Sequence, residues 1–316
     1  MKLDLSIVVP AYNEIESLES LYEAITGYID STDLDLQFVF VDDGSVDETY
    51  SVLCSWDLGK AHSKVVKLSR NYGSHAAIRA GIYHADADAV MVYSSDMPEP
   101  IEDADRFYKG LKEGYELVYS VRTGYRGDLG SRLFSKLVNR CIDENYPAEG
   151  LIGVAFGSKI KKELNTDIES NSSVFFQIFQ MGFSRLAIEV PYLEREQGES
   201  KWTLAKKVKL FVDSFVMFSY APIRVITSIG ILLAAVGIVC AIGIIIAKLF
   251  NIFEFAAGWP TMISIMLLGF GVTNVSLGII AEYLVRTLDA ARNKKTFIVD
   301  TVMEDHAPDG RLGRNE

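Results

Sequence analysis

Tyr93-Ser94-Ser95-Asp96-Met97-Pro98-Glu99 follows the short apolar run Asp88-Ala-Val-Met-Val92. A valine-rich run of this length, closed by turn residues, reads as a buried parallel strand. A carboxylate just past the end of such a strand stands where open α/β sheets bind their ligands. Two earlier stretches share the design. Val8-Val-Pro-Ala-Tyr-Asn-Glu14 and Val41-Asp-Asp-Gly-Ser45 are each a hydrophobic strand running into turn residues and acids. Three acid-tipped strand ends at one sheet edge predict one site. Singly, each has a plainer reading. Asp96 starts a turn or caps the helix from Ile101, Asp42 to Ser45 is a turn with a cap, and Tyr12 and Glu14 open a helix.

Outward from these ends, strands are expected at Leu3 to Val9, Leu36 to Val41, Val65 to Leu68, Asp88 to Val92 and Glu116 to Val121. Helical spacing is expected over Ile15 to Ile29, from Ser45 to Thr49, over His75 to Ala85 and over Ile101 to Glu113. Strands alternating with helices at this spacing predict an α/β fold with a doubly wound, mainly parallel sheet. Further on, Leu129 to Asn145 is helical in pattern, with Arg132, Lys136 and Arg140 as a basic stripe. Leu151 to Phe156 and Leu186 to Val190 read as strands, Val174 to Met181 as a helix, and Arg195 to Trp202 as a polar loop.

The rest of the chain is apolar. Val225 to Ala247 and Gly258 to Ala281 hold no charged residue, and a membrane-spanning helix needs about 20 such residues. Only about ten residues join them, so a hairpin is expected. Thr203 to Ser219 carries Leu204, Val208, Phe211, Val212, Phe215 and Phe218 at helical spacing behind Lys206, Lys207 and Lys209, the pattern of a helix lying on a membrane surface. Basic residues flank the hairpin more than they fill its connector, which places both ends in the cytoplasm. The expected organisation is a cytoplasmic domain over 1–202, an interfacial helix over 203–221, a hairpin over 222–288 and a partly disordered tail over 289–316.

Composition excludes some roles. A net charge of −11 over 316 residues argues against nucleic acid as a partner. Cys54, Cys141 and Cys240 have no metal-ligand spacing and read as free thiols in a reducing compartment. Met1-Lys-Leu-Asp-Leu-Ser runs directly into the first strand, so no cleavable leader is expected.

Ile7-Val-Val-Pro-Ala-Tyr-Asn-Glu14, Val41-Asp-Asp-Gly-Ser-Val-Asp47, Arg70-Asn-Tyr-Gly73 and Ala80-Gly81, in that order and ahead of an apolar hairpin, resemble the inverting glycosyltransferases of family two. They are most similar to the polyprenyl-phosphate type, which includes bactoprenol glucosyltransferase and dolichyl-phosphate mannose synthase. The resemblance implies a GT-A fold. It implies that Pro10, Tyr12 and Glu14 cradle base and ribose, that Asp42 or Asp43 hydrogen-bonds the base beside Gly44 and Ser45, and that Asp96 lies nearest the diphosphate and its Mg²⁺ or Mn²⁺. It places Arg122 and Arg126 near phosphate groups, and Arg195 and Lys201 at the lipid phosphate. Ser94, Arg70 and His75 are further candidates for the site.

The chain departs from the family twice. Ser94-Ser95-Asp96-Met97-Pro98 stands where the family reads Asp-Ala-Asp-Leu-Gln, and Gly150 to Phe156 carries no acid where relatives have one. The expected activity is transfer of one sugar from a nucleotide-sugar to polyprenyl (undecaprenyl) phosphate at the cytoplasmic face of the membrane. The partners are donor, lipid phosphate and bilayer, with a homo-oligomer, a tetramer by resemblance. A membrane scaffold that binds nucleotide-sugar without turnover has the same sequence features, and turnover separates the two.

Overall fold

The computed structural model describes residues 3–95, 100–123, 146–147, 153–166, 173–191, 228, 232, 246, 249–250, 259–291 and 295–304. The chain divides into two compact units, Met1–Phe211 with Lys295–Glu316, and Val212–Lys294.

One eight-stranded sheet organises the first unit. Its strands are β1 (Leu5–Ala11), β2 (Leu36–Asp42), β3 (His62–Leu68), β4 (Ala89–Val92), β5 (Leu117–Thr123), β6 (Val154–Phe156), β7 (Arg185–Pro191) and β8 (Val299–Glu304). Their order is β7-β5-β6-β4-β1-β2-β3-β8. β1 pairs in parallel with β2 and β4, β2 with β3, and β5 with β7. β6 runs antiparallel to β4 and β5, and β8 antiparallel to β3. The expected mainly parallel sheet is observed, with β6 and β8 as the two strands that run against the rest. β6 starts at the edge of the sheet where β5 ends, and β8 at the edge where β3 ends.

Among the described residues six helices accompany the sheet: α1 (Leu18–Ser31), α2 (Thr49–Cys54), α3 (Ser74–His84), α4 (Asp103–Lys112), α5 (Ser158–Thr166) and α6 (Val174–Gln180). The alternation of strand side chains sorts them onto two faces. Leu5, Ile7 and Val9 of β1 join Phe38 and Phe40 of β2 in one core with Leu18, Leu21 and Ile25 of α1. Val8 and Val41 point the other way, onto α3. All seven residues of β2 are buried, which is why its centre, Phe38 to Val41, reads as an unbroken apolar run. Gly81 explains the Ala80-Gly81 pair: a Cβ there would overlap the Val8 side chain, so only glycine lets α3 lie this close to the sheet.

The tail corrects one expectation. Residues beyond about Thr301 read as disordered, yet Val299–Glu304 forms β8 on the outer edge of β3. Its side chains are nearly all exposed, so no apolar alternation announced it. The open edge of β3 supplies its hydrogen-bond partners instead.

The second unit contains α7 (Trp259–Ala291), 33 residues long. Among the described residues no helix is long and apolar enough to cross a membrane; within α7 the side chains are described in an unbroken run only over 269–281. The hairpin expected at 225–247 and 258–281 thus rests on the sequence. The interfacial helix expected at 203–221 and the basic helix at 129–145 lie outside the described residues.

Candidate active site

The ends of β1, β2 and β3 are stitched together by hydrogen bonds between their loops. Asp43 N–H donates to the Ala11 carbonyl at 2.9 Å. Asn13 N–H donates to Ser45 Oγ at 3.0 Å, and Val46 N–H returns a bond to Asn13 Oδ1 at 3.0 Å. Glu14 N–H reaches Thr49 Oγ1 at 3.1 Å. Asn13 has a φ of +52°, a backbone region that asparagine tolerates better than most residues. That conformation lets one side chain and one backbone amide serve the neighbouring loop together.

Asp42 and Asp43 end β2 and are 0% and 3% exposed. Both oxygens of Asp42 sit 3.3 Å from Ser45 N–H and hold the turn. Asp43 spans a longer gap. Its Oδ1 accepts from Tyr72 N–H at 2.7 Å and its Oδ2 from Gly73 N–H at 2.8 Å. Burial pushes the Asp43 carboxyl above the usual range, and the two backbone N–H groups pull it back. Asp43 therefore fastens the Arg70–Gly73 loop to β2, a task the residue pattern alone did not assign. Gly44 has φ +68°, and a Cβ on it would land inside the Arg70 backbone. Glycine is required twice there, for conformation and for the close approach of the two loops.

The fastened loop presents a cation. The Arg70 guanidinium lies over the Tyr72 ring at 4.1 Å and donates to the Asn71 carbonyl at 3.1 Å, while Ser69 Oγ meets the Tyr72 hydroxyl at 3.0 Å. Arg70 is exposed, so its charge faces the edge held by its own neighbours. On the β1 side Tyr12 is 40% exposed and Val46 88%. Pro10 and Glu14 are half-buried in the same turn, and the Glu14 carboxylate accepts from Ser17 Oγ at 3.3 Å. These apolar and aromatic surfaces beside Arg70 suit a flat ring with an anionic group attached.

His75 stands in the first turn of α3, edge-on to Phe175 of α6 at 5.6 Å. The residue is half-buried, but its Nδ1 has no solvent contact and no hydrogen-bond partner. Burial, then the charge of Arg79, depresses its pKa to about 4, so the ring is neutral at physiological pH. One turn later Arg79, buried, donates to Gln177 Oε1 at 2.7 Å.

Ser94 follows β4 and is half-buried, and Tyr93 N–H donates to the Val8 carbonyl at 2.9 Å, which sets this strand end against β1. Asp96, Arg126, Arg195 and Lys201 lie outside the described residues. Arg122 is on β5, opposite Val190 of β7, and only its backbone is described. Among the described residues no group of three or more His, Cys, Asp or Glu side chains gathers to hold a metal. The donors expected at this edge are nonetheless of the right kind. A Ser94 hydroxyl and the Asp96 carboxylate are hard oxygen ligands, and Mg²⁺ or Mn²⁺ commonly takes one or two carboxylates with phosphate oxygens rather than a full protein cage.

The structure thus brings Pro10, Tyr12, Glu14, Asp42, Asp43, Gly44, Ser45, Arg70, His75 and Ser94 to one edge. Sequence reasoning missed Asn13, Thr49 and Tyr72. Asn13 alone left a signal, an asparagine between two turn residues.

Residues 6–189 match the glycosyl transferase family 2 model. The chain is 32% identical over 302 residues to the uncharacterized glycosyltransferase YkcC of Bacillus subtilis (strain 168), covering 94% of this chain and 93% of that protein. It is 30% identical over 314 residues to an undecaprenyl-phosphate 4-deoxy-4-formamido-L-arabinose transferase of Edwardsiella ictaluri (strain 93-146), covering 96% of each. Among solved structures, one described as a mycobacterial protein superposes with a TM-score of 0.50 at 16% identity, over 68% of this chain and 75% of that one, a likeness of fold alone.

Proposed function

Because the chain belongs to glycosyl transferase family 2 and is a glycosyltransferase of GT-A-like mixed α/β fold, we propose that its stitched sheet edge binds a nucleotide-sugar and passes one sugar to polyprenyl phosphate. The observation that carries this is the loop platform around Asp43, which turns three strand ends into one rigid cradle with Tyr12 and Arg70 exposed on it. Near full-length similarity to undecaprenyl-phosphate sugar transferases supports the choice of acceptor.

In this reading Pro10, Tyr12 and Glu14 line the base and ribose, and Arg70 meets the diphosphate. Ser94 and Asp96 would hold Mg²⁺ or Mn²⁺, which supplies positive charge to the departing diphosphate. An oxygen of the acceptor phosphate forms the bond to the anomeric carbon as the bond to the nucleoside diphosphate breaks, and the electron pair leaves with the diphosphate. The acceptor phosphate is already ionised near neutral pH, so no general base is required, and single displacement inverts the anomeric configuration. Arg122 and Arg126 serve phosphate groups, and Arg195 and Lys201 the lipid phosphate.

The membrane part of the reading has two supports. Met262, Ile265, Met266, Phe270, Val275, Leu277, Ile280 and Leu284 are each half or more exposed on α7, an apolar surface of the kind that a bilayer covers. Moreover, the chain leaves the catalytic sheet after β7 and rejoins it at β8. A domain on one side of a membrane then requires an even number of crossings between them, as a hairpin provides. The basic flanks put that domain in the cytoplasm.

The test is sugar transfer by the purified full-length protein in detergent or bilayer, with undecaprenyl phosphate and a panel of radiolabelled nucleotide-sugars, formamido-arabinose donors included. A lipid-linked product from one donor, with EDTA sensitivity, is expected. Saturable donor binding without product across the panel would overturn transfer in favour of a binding role.

A further inference from the structure

β8 reaches the donor-binding edge. Its register on β3 runs Lys64↔Glu304, Val65↔Met303, Val66↔Val302, Lys67↔Thr301 and Leu68↔Val299, with an irregularity between Lys67 and Leu68. The pairing continues past the strand, where Ser69 N–H donates to the Ile298 carbonyl at 2.9 Å. The next residue is Arg70. The loop that Asp43 fastens at Tyr72 and Gly73 is therefore fastened at its other end, Ser69, by the returning tail.

The hold is selective. β8 buries almost no side chain, so hydrophobic packing contributes little to it. What remains among the described residues is the main-chain ladder and the ion pair of Lys64 Nζ with Glu304 Oε1 at 3.0 Å, at the far end of the strand. The Lys64 side chain is 10% exposed and also pairs with Asp86 at 3.1 Å. An edge strand held in this way belongs to the low-stability end of a fold and can detach while the core stays folded.

We propose that β8 is a positioning strand for the donor site. By pairing with the irregular end of β3 and bonding Ser69, it sets the Arg70–Gly73 loop, and with it the Arg70 guanidinium, for the donor diphosphate. This rests on the donor-site reading above. Since β8 is the direct chain continuation of the segment after α7, it also ties donor affinity to the attachment of that segment. Glu304 and the Ile298 carbonyl act through Arg70 and touch no substrate.

The experiment compares the full chain with one ended at Lys294, both in the same detergent. The donor identified by the panel is titrated onto each, KM is measured separately for donor and for undecaprenyl phosphate, and hydrogen exchange is followed at Ser69. The expected result is about tenfold weaker donor affinity, an unchanged acceptor KM, loss of Ser69 protection, and recovery of donor affinity when a peptide of residues 295–306 is added. Glu304→Lys in the intact chain, which sets two cations together at Lys64, is expected to weaken the donor about threefold, so the proposal stays testable if the shortened chain does not fold. Equal donor affinity in full-length and shortened or Glu304→Lys protein, with Ser69 exposed, overturns the positioning role and leaves the donor site standing. A full chain that binds no nucleotide-sugar overturns both.

Discussion

The two edges of the sheet use polar residues in opposite ways. At the edge where β1 and β2 begin, Ser6 Oγ donates to Gln37 Oε1 at 2.6 Å, Gln37 Oε1 accepts from Asp86 N–H at 2.8 Å, and Lys64 pairs with Asp86 and Glu304. The Ser6 and Gln37 side chains are sealed in, bond one another, and hold the turn before β4 through the Asp86 and Ala87 N–H groups. At the edge where the same strands end, Asp42, Asp43, Asn13 and Ser45 also bond loop backbone, but the loops so fixed leave Tyr12 and Arg70 exposed. One network closes a surface and the other builds one. Buried polar groups that hold loops in place, with exposed groups beyond them, are what mark a binding edge.

Replacing Asp96 tests the binding edge most severely. Asp96→Asn removes the charge expected nearest the metal and diphosphate, and turnover should fall on the order of a thousandfold with the thermal midpoint unchanged. Full turnover would remove Asp96 from the site. Asp43→Asn comes next. An amide offers one acceptor where the loop needs two, so one of the Tyr72 and Gly73 N–H groups loses its partner. A loop displaced by about 1 Å should lower donor kcat/KM about a hundredfold, with acceptor KM held. A variant with normal kinetics would mean that the loop keeps its place without Asp43.

The opposite edge should answer in stability rather than turnover. Gln37→Leu removes the acceptor of both the Ser6 hydroxyl and the Asp86 N–H, at a cost of about 2 kcal/mol. Denaturant titration should show that loss, and turnover per folded molecule should stay at the parent value. A change in donor KM would show that the two edges are coupled and that the contrast between them is too sharply drawn.

Much of this was legible in the residues, for definite reasons. β1, β2 and β4 are buried on both faces, so their valines and isoleucines run on without interruption, and the turn residues that stop them mark the binding edge. What was not legible shares a cause: β6 and β8 take their direction and their partners from strands far away in the chain. β8 has side chains that water reaches, so its sequence resembles a polar tail. α5 escaped notice because only Ile160 and Leu164 of it are buried, two apolar residues in a polar stretch. At the site, acids were visible but their partners were not. The pair Asp42-Asp43 looks like two ligand-binding carboxylates, and only the fold reveals the Tyr72 and Gly73 amides waiting for Asp43. Gly44 and Gly81 were recognisable as motif glycines, while the Arg70 backbone and the Val8 side chain that require them are contacts across the fold.

The smallest expected effect concerns His75, which belongs to the binding edge by position and to the sealed edge by character. Its Nδ1 is out of reach of water, and its pKa is depressed to about 4 from an ordinary 6.5, by burial first and the Arg79 charge second. A histidine that holds its proton less tightly when folded takes one up on unfolding, so acid favours the unfolded chain. The stability it supports is whole above pH 6.5 and is lost as pH falls toward 4. The slope reaches at most about 1.4 kcal/mol per pH unit for one proton. His75→Phe keeps a ring against Phe175 and removes the titration. Unfolding midpoints of parent and variant across that window should therefore diverge as pH falls, the variant being flatter by that slope. Parallel curves would mean that the ring takes up its proton in the folded protein, and hence that water enters the binding edge as far as the first turn of α3.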